Sequence, residues 1–155
     1  MKFTHYTNSL PYIMETTSRV IQEAITKDLK KSGLNLSHEE FVILDTIFCH
    51  PGILQIDLAK KVLKTRAHTG KFLNTLEARG LIRREKRIKG SRQTILLNFL
   101  TDDGVVLHKT AVKEIKKSIN DTMPAHLSDE DIDKLSAFLN ELKIDIVTRK
   151  NIRFN

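Results

Sequence analysis

Apolar residues recur three and four positions apart through most of the chain, and the breaks in that spacing divide it into elements. Ile13, Val20, Ile21, Ala24 and Leu29 follow Pro11 at helical spacing. Pro11 suits a first turn, where a missing N–H costs nothing, and Gly33 is a natural stop. In SHEE, Ser37 and Glu40 have the spacing of a capping box, opening a second helix through Phe41, Leu44, Ile47 and Phe48 that ends before Pro51. QIDLAKKV predicts a short third helix with Leu58, Ala59 and Val62 inward. Thr65 caps a fourth, and Gly80 stands where a left-handed C-terminal residue is wanted.

The period then changes. LIRREKRI and QTILLNFL are short and rich in β-branched and apolar residues, and the four residues 89–92 between them predict a β-hairpin with a basic tip. Thr101 caps another helix carrying Val105, Val112, Ile115 and Ile119; Pro124 ends it, and Ser128 caps the last in LSDEDIDKL. Repeats and low-complexity segments are absent from the sequence. The order predicts a mainly α fold with a small β-hairpin wing. A winged helix-turn-helix domain spans 37–101, a connecting helix 102–120, and dimerisation helices 1–36 and 121–155 flank them.

The fourth helix has two unlike faces. At ~100° per residue, Thr69, Phe72, Leu73 and Leu76 share one arc. Ala67, Gly70, Lys71, Asn74 and Ala78 lie opposite, with Arg66 and His68 at the boundary. A glycine inside a helix costs ~1 kcal/mol relative to alanine. Close approach to another molecule would justify Gly70, since small residues leave room. Lys71 can reach a phosphate or a guanine edge, and Asn74 can pair bidentately with adenine.

Charge sharpens that reading. The 155 residues carry a net +7, but the window from Lys60 to Arg92 holds twelve basic residues against Glu77 and Glu85. That window is +10 and the rest of the chain −3, so the excess is local. An anionic partner such as double-stranded DNA fits, with Lys60, Lys64, Arg83 and Arg87 on phosphates and Arg66, Ala67, His68, Gly70, Lys71 and Asn74 facing bases. Lys89, Gly90 and Arg92 form the wing tip, whose arginine suits a narrow minor groove.

Other chemistry is sparse. No nucleophile stands with a plausible base, no glycine loop cradles phosphate and no histidine pair has metal spacing, so neither enzyme nor cofactor is expected. The lone Cys49 excludes an internal disulfide; packing as a small apolar residue is its expected role, and a redox thiol beside His50 the alternative. With no signal-peptide core and no apolar run of membrane length, a cytoplasmic protein without membrane contact is expected. In the last helix Ile132, Leu135, Leu139, Leu142 and Ile146 make a narrow stripe, widened by Phe138, that suits a seam between two copies.

The segments LSHEEFVILDTI, DLAKKV, NTLEARGLIRR and LTDDG, in this order around the hairpin, resemble the MarR family of bacterial transcription regulators. The resemblance covers residues 37–104 by motif and the whole chain by helix order. It implies a homodimer on a pseudo-palindromic operator, with first and last helices interlocked between subunits. Leu76 and Leu81 would pack, and the outward residues of the fourth helix would face the groove. Relatives hold small aromatic ligands between the dimer helices and the winged domain, which implies a small-molecule effector. Two departures stand out. Gly90 replaces the aspartate of the family's Asp-x-Arg wing tip, where Arg92 keeps the arginine, and His68 and Gly70 occupy positions where hydroxyl residues are common. The expected function is a sequence-specific DNA-binding regulator, a homodimeric repressor released by a small-molecule or redox signal. The alternative is a winged-helix module that binds protein or nucleic acid without sequence preference.

Overall fold

The computed structural model describes residues 4–89, 93–122 and 127–152, apart from the side chains of Lys89, Gln93 and Thr94. Gly90 and Arg92 of the expected wing tip lie outside the described residues, as does Pro124. After a 3-10 turn at Tyr6–Asn8 come α1 (Leu10–Lys31), α2 (His38–Cys49), β1 (Ile53–Leu54), α3 (Gln55–Lys61), α4 (Arg66–Ala78), β2 (Ile82–Lys89), β3 (Gln93–Leu100), α5 (Asp102–Thr122) and α6 (Asp129–Lys150).

The starts and stops follow local chemistry. Ser37 accepts from the Glu40 backbone N–H at 3.1 Å while the Glu40 carboxylate accepts from Ser37 N–H at 2.9 Å, closing the expected box. Ser128 and Asp131 repeat it at the start of α6. Thr65 Oγ1 accepts from His68 N–H at 3.2 Å, and Gly80 follows α4 at φ +70°. Each such cap stabilises a helix end by roughly 1 kcal/mol.

The core lies where α2, α3 and α4 meet the second half of α1 and the middle of α5. Ile43, Leu44, Ile47, Leu58, Leu73 and Leu76 are fully buried there, beside Leu29 and Leu36. Burying a side chain of this size contributes about 1.5–3 kcal/mol. The hairpin pairs from Ile82↔Leu100 to Lys89↔Gln93. β1, which its two-residue length hid from any periodicity, adds a third antiparallel strand through Ile53↔Asn98 and Leu54↔Leu97, giving the order β1-β3-β2. Buried Asn98 fastens it, its Nδ2 donating to Ile53 O at 2.7 Å.

One expectation about the long helices needs correction. Of Val105, Val112, Ile115 and Ile119 on α5, only Ile115 is buried; the other buried positions are Gly104, His108, Ala111 and Ser118, which are small or polar. The opening turn leaves no room at all: a Cβ on Gly104 would lie 1.9 Å from the carbonyl oxygen of Leu81. Helix α1 also packs within its own chain. Ile25 and Leu29 are in the core, and Ser118 Oγ donates to Asp28 at 2.8 Å while Ser32 Oγ donates to Glu114 at 2.7 Å, tying α1 to α5. Only its first half, with Leu10, Ile13 and Val20 exposed, lacks cover.

Candidate nucleic-acid interface

Helices α3 and α4 are joined by a tight turn in which Leu63 adopts φ 53° and Lys64 N–H donates to Ala59 O at 3.0 Å. Thr69, a hydroxyl on the inward side of α4, is fully buried because its Oγ1 donates back to Thr65 O at 3.0 Å. With Leu73 and Leu76 it seats the helix on the core. The opposite side presents Arg66, Ala67, His68, Lys71 and Asn74 to solvent.

Gly70 has a neighbour that the sequence did not suggest. Gln55 at the start of α3 donates through Nε2 to Arg66 O at 2.9 Å, and a Cβ on Gly70 would meet that nitrogen at 2.9 Å. That nitrogen is the far end of a flexible side chain, so a methyl group at position 70 would displace it at little cost. His68, though exposed, also has a neighbour within the chain. Its ring stacks on Phe72 at 5.2 Å, with Lys64 Nζ 5.9 Å from the centre of the same ring.

The wing meets α4 through a polar clasp. Arg84 donates from Nε to Glu77 Oε2 at 2.8 Å and pairs with the same carboxylate through Nη2, which also donates to Asn74 Oδ1 at 3.0 Å. These bonds hold the Glu77 carboxyl below the usual glutamate range and raise the Arg84 guanidinium above its ordinary value. Side chains alternate along a strand. Arg84 therefore points to α4, whereas Arg83, Glu85 and Arg87 occupy the other face. Arg83 pairs with Glu85 and lies over the Phe99 ring at 4.7 Å, and Arg87 comes within 3.9 Å of Glu85. Arg79 is turned away towards Glu40 and the Asn35 carbonyl. Lys60 is 3.9 Å from Asp57. Among the described residues, the exposed cations with no ion pair around α4 are Lys61, Arg66, Lys71 and Lys86. Exposed pairs such as Arg83–Glu85 are worth at most about 1 kcal/mol, so they exchange readily for a phosphate.

The remaining sequence candidates are scattered. Cys49 is exposed at the end of α2, which overturns the core-packing role expected for it. The α6 stripe stays uncovered: Leu135 and Ile146 are exposed, Ile132, Leu139 and Leu142 only partly covered, and no residue of the helix is buried. Between α6 and the uncovered half of α1 lies a cleft of about 500 Å³, lined by Leu10, Ile13, Met14, Ile21, His38, Phe138 and Leu139 among others. Burial pushes the His38 imidazole down.

One polar residue escaped the sequence. His108 is 4% exposed, stacked on Phe48 at 4.3 Å and on Phe41 at 5.8 Å, with Nε2 2.8 Å from Asp45 Oδ1. No local motif marks it, since its partners come from α2. Among the described residues no cluster of His, Cys, Asp and Glu could hold a metal, and no helix is long and apolar enough to cross a membrane.

A helix seated by its apolar side beside a basic strand, with a tight turn before it, is the geometry that a sequence comparison then identifies. The model of the MarR family matches residues 36–92. The segment is a MarR-family domain. It spans α2, β1, α3, α4 and β2, and MarR proteins are transcription regulators. Solved structures agree over nearly the whole chain. The repressor CouR bound to a 23-mer DNA duplex superposes with a TM-score of 0.77 at 22% identity, covering 92% of this chain and 98% of its own. BpsR of Bordetella bronchiseptica, whose DNA binding is regulated by 6-hydroxynicotinic acid, gives 0.78 at 17%, with the same coverage. A MarR variant from E. coli complexed with operator DNA gives 0.77 at 16%, covering 90% and 99%. At such identities the likeness shows the fold, a winged helix with flanking helices. No curated protein sequence matches.

Proposed function

We propose that the protein is a homodimeric, sequence-specific reader of double-stranded DNA that represses transcription by occupying its operator. The observation that carries this is the outward side of α4. Arg66, Ala67, Lys71 and Asn74 are exposed together on a helix anchored by Thr69, Leu73 and Leu76, within a MarR-family domain. Small and donor-bearing side chains suit a major groove, where lysine and arginine recognise guanine and asparagine recognises adenine. Lys60, Lys64, Arg83 and Arg87 supply phosphate contacts, with Arg92 reaching the minor groove from the wing tip. CouR and the E. coli protein were both solved on DNA, which supports the same use of this fold.

Dimerisation is proposed from the terminal helices. The uncovered stripe Ile132, Leu135, Leu139, Leu142 and Ile146 meets its counterpart across a two-fold axis, together with the first half of α1. Two recognition helices then stand one DNA turn apart, ~34–36 Å. An effector enters near the cleft between α1 and α6, as the regulation of BpsR by 6-hydroxynicotinic acid supports. Exposed Cys49 is the site at which a redox signal would act.

The test is selection from a random duplex library, followed by affinity for the enriched site over a salt series. A two-fold symmetric motif with steep salt dependence is expected. Steep salt dependence without an enriched motif would replace this reading with that of a non-specific interaction module.

A further inference from the structure

We propose that Arg84, on the first strand of the wing, is a positioning residue that orients Asn74 for base recognition. The proposal rests on α4 facing base edges, as argued above.

An exposed asparagine carries no instruction about which end of its amide points where. The two flips have nearly equal size and shape, yet they present opposite orders of donor and acceptor to a base pair. The adenine edge in the major groove accepts only one order, because it offers an N–H from N6 beside the acceptor N7. An asparagine free to flip therefore reads poorly until binding itself selects the orientation.

Arg84 removes that freedom. A guanidinium has donors only, so the atom of Asn74 that lies 3.0 Å from Nη2 must be the carbonyl oxygen. The Asn74 amide is thereby fixed with its NH2 group free as a donor and one oxygen lone pair left to accept. Arg84 is itself held, since Nε and Nη2 both engage Glu77, three residues further along the same helix. Only 20% of the Arg84 side chain is exposed, and its charge is matched by Glu77. It is poorly placed to serve as a phosphate contact. Its effect on binding reaches the DNA through Asn74, so a base-pair preference depends on a residue that touches no base.

The experiment uses the full chain and the duplex enriched by selection, with all single base-pair substitutions of one half-site. Affinities are measured for the wild type, Asn74→Ala, Arg84→Ala, Arg84→Lys and the double variant Asn74→Ala/Arg84→Ala. Thermal unfolding of each identifies any variant that does not fold. Asn74→Ala and Arg84→Ala are expected to flatten preference at the same base pair by about tenfold. The double variant should lose no more than either single one, and the salt slope should stay unchanged. Arg84→Lys keeps the charge but replaces the planar fork that spans Glu77 and Asn74 with a point charge on a flexible stem. It should lose the same preference even if Arg84→Ala folds poorly. Full preference in Arg84→Lys, or preference kept by Arg84→Ala but lost by Asn74→Ala, would overturn the positioning role. If Asn74→Ala weakens every duplex equally, the base contact itself fails, and the proposal with it.

Discussion

Helices α5 and α6 have nearly the same length, and each carries a stripe at spacings of three and four, yet they end in opposite environments. The α5 stripe is Gly104, His108, Ala111, Ile115 and Ser118, all buried within the chain. The α6 stripe is larger and more apolar, and no residue on it is buried. Hydrophobicity alone would have assigned them the other way round. Small and polar residues go inside where backbones approach closely and hydrogen-bond partners wait, as Leu81, Asp45 and Asp28 do for α5. Large apolar residues left outside mark a surface whose cover comes from another molecule.

The hardest way to break this contrast is at Gly104. Replacing it by Ala puts a Cβ against the Leu81 carbonyl. Overpacking of this kind costs about 1–3 kcal/mol, and thermal unfolding should show a clear fall in Tm. An unchanged Tm would mean that the first turn of α5 has slack. On α6, Leu139→Asp should leave the fold intact but produce monomers in sedimentation, with operator affinity down by at least about tenfold, or 1.4 kcal/mol. A dimer that persists would move the interface elsewhere. Ser118→Ala, which removes the bond to Asp28, should cost roughly 0.5–1.5 kcal/mol by denaturant titration. No change would show the bond to be replaced by water.

The smallest effect separates the two helices by pH. The Ser118 hydroxyl, with Lys31, holds the Asp28 carboxyl below its ordinary value. A carboxyl lowered in the folded state stabilises above its unfolded value and loses that contribution as pH falls through the lowered one. The α1–α5 tie should thus weaken only in acid below the usual aspartate range, and Ser118→Ala should blunt that response. His38, lowered by burial beside the α1–α6 cleft, also favours the high-pH side, but its contribution fades as pH falls through and below the ordinary histidine range. A stability profile with His38→Gln as control resolves the two windows. A profile unaltered by that substitution would remove His38 as the source of the upper one.

Much of the fold was legible because its signals are local. The Ser37 and Ser128 boxes, the Thr65 cap, Gly80 and the hairpin all depend on residues close in sequence, and they stand where expected. What escaped depends on distant partners. Gly70 could not be linked to Gln55 without the α3–α4 packing, nor His108 to Phe41 and Phe48 without the α2–α5 contact. Cys49 was misjudged because residue type favours burial, while its place at the end of α2 leaves it in solvent. On α4, the outward residues were readable from period alone. The clasp joining Asn74, Glu77 and Arg84 was not, since it crosses from helix to strand.

The two-residue strand β1 bears on the order in which the chain folds. Its partner Asn98 is 45 residues away, and the intervening loop contains α3, α4 and most of the hairpin. The β2–β3 hairpin pairs segments adjacent in sequence, and hairpins form on a microsecond scale, about 1–10 μs. β1 gains its bonds only after the much longer loop has closed, a step with a larger entropy barrier. Loop length alone thus puts the pairing of Ile53–Leu54 after that of the hairpin, so that β1 joins the helix pair to the wing.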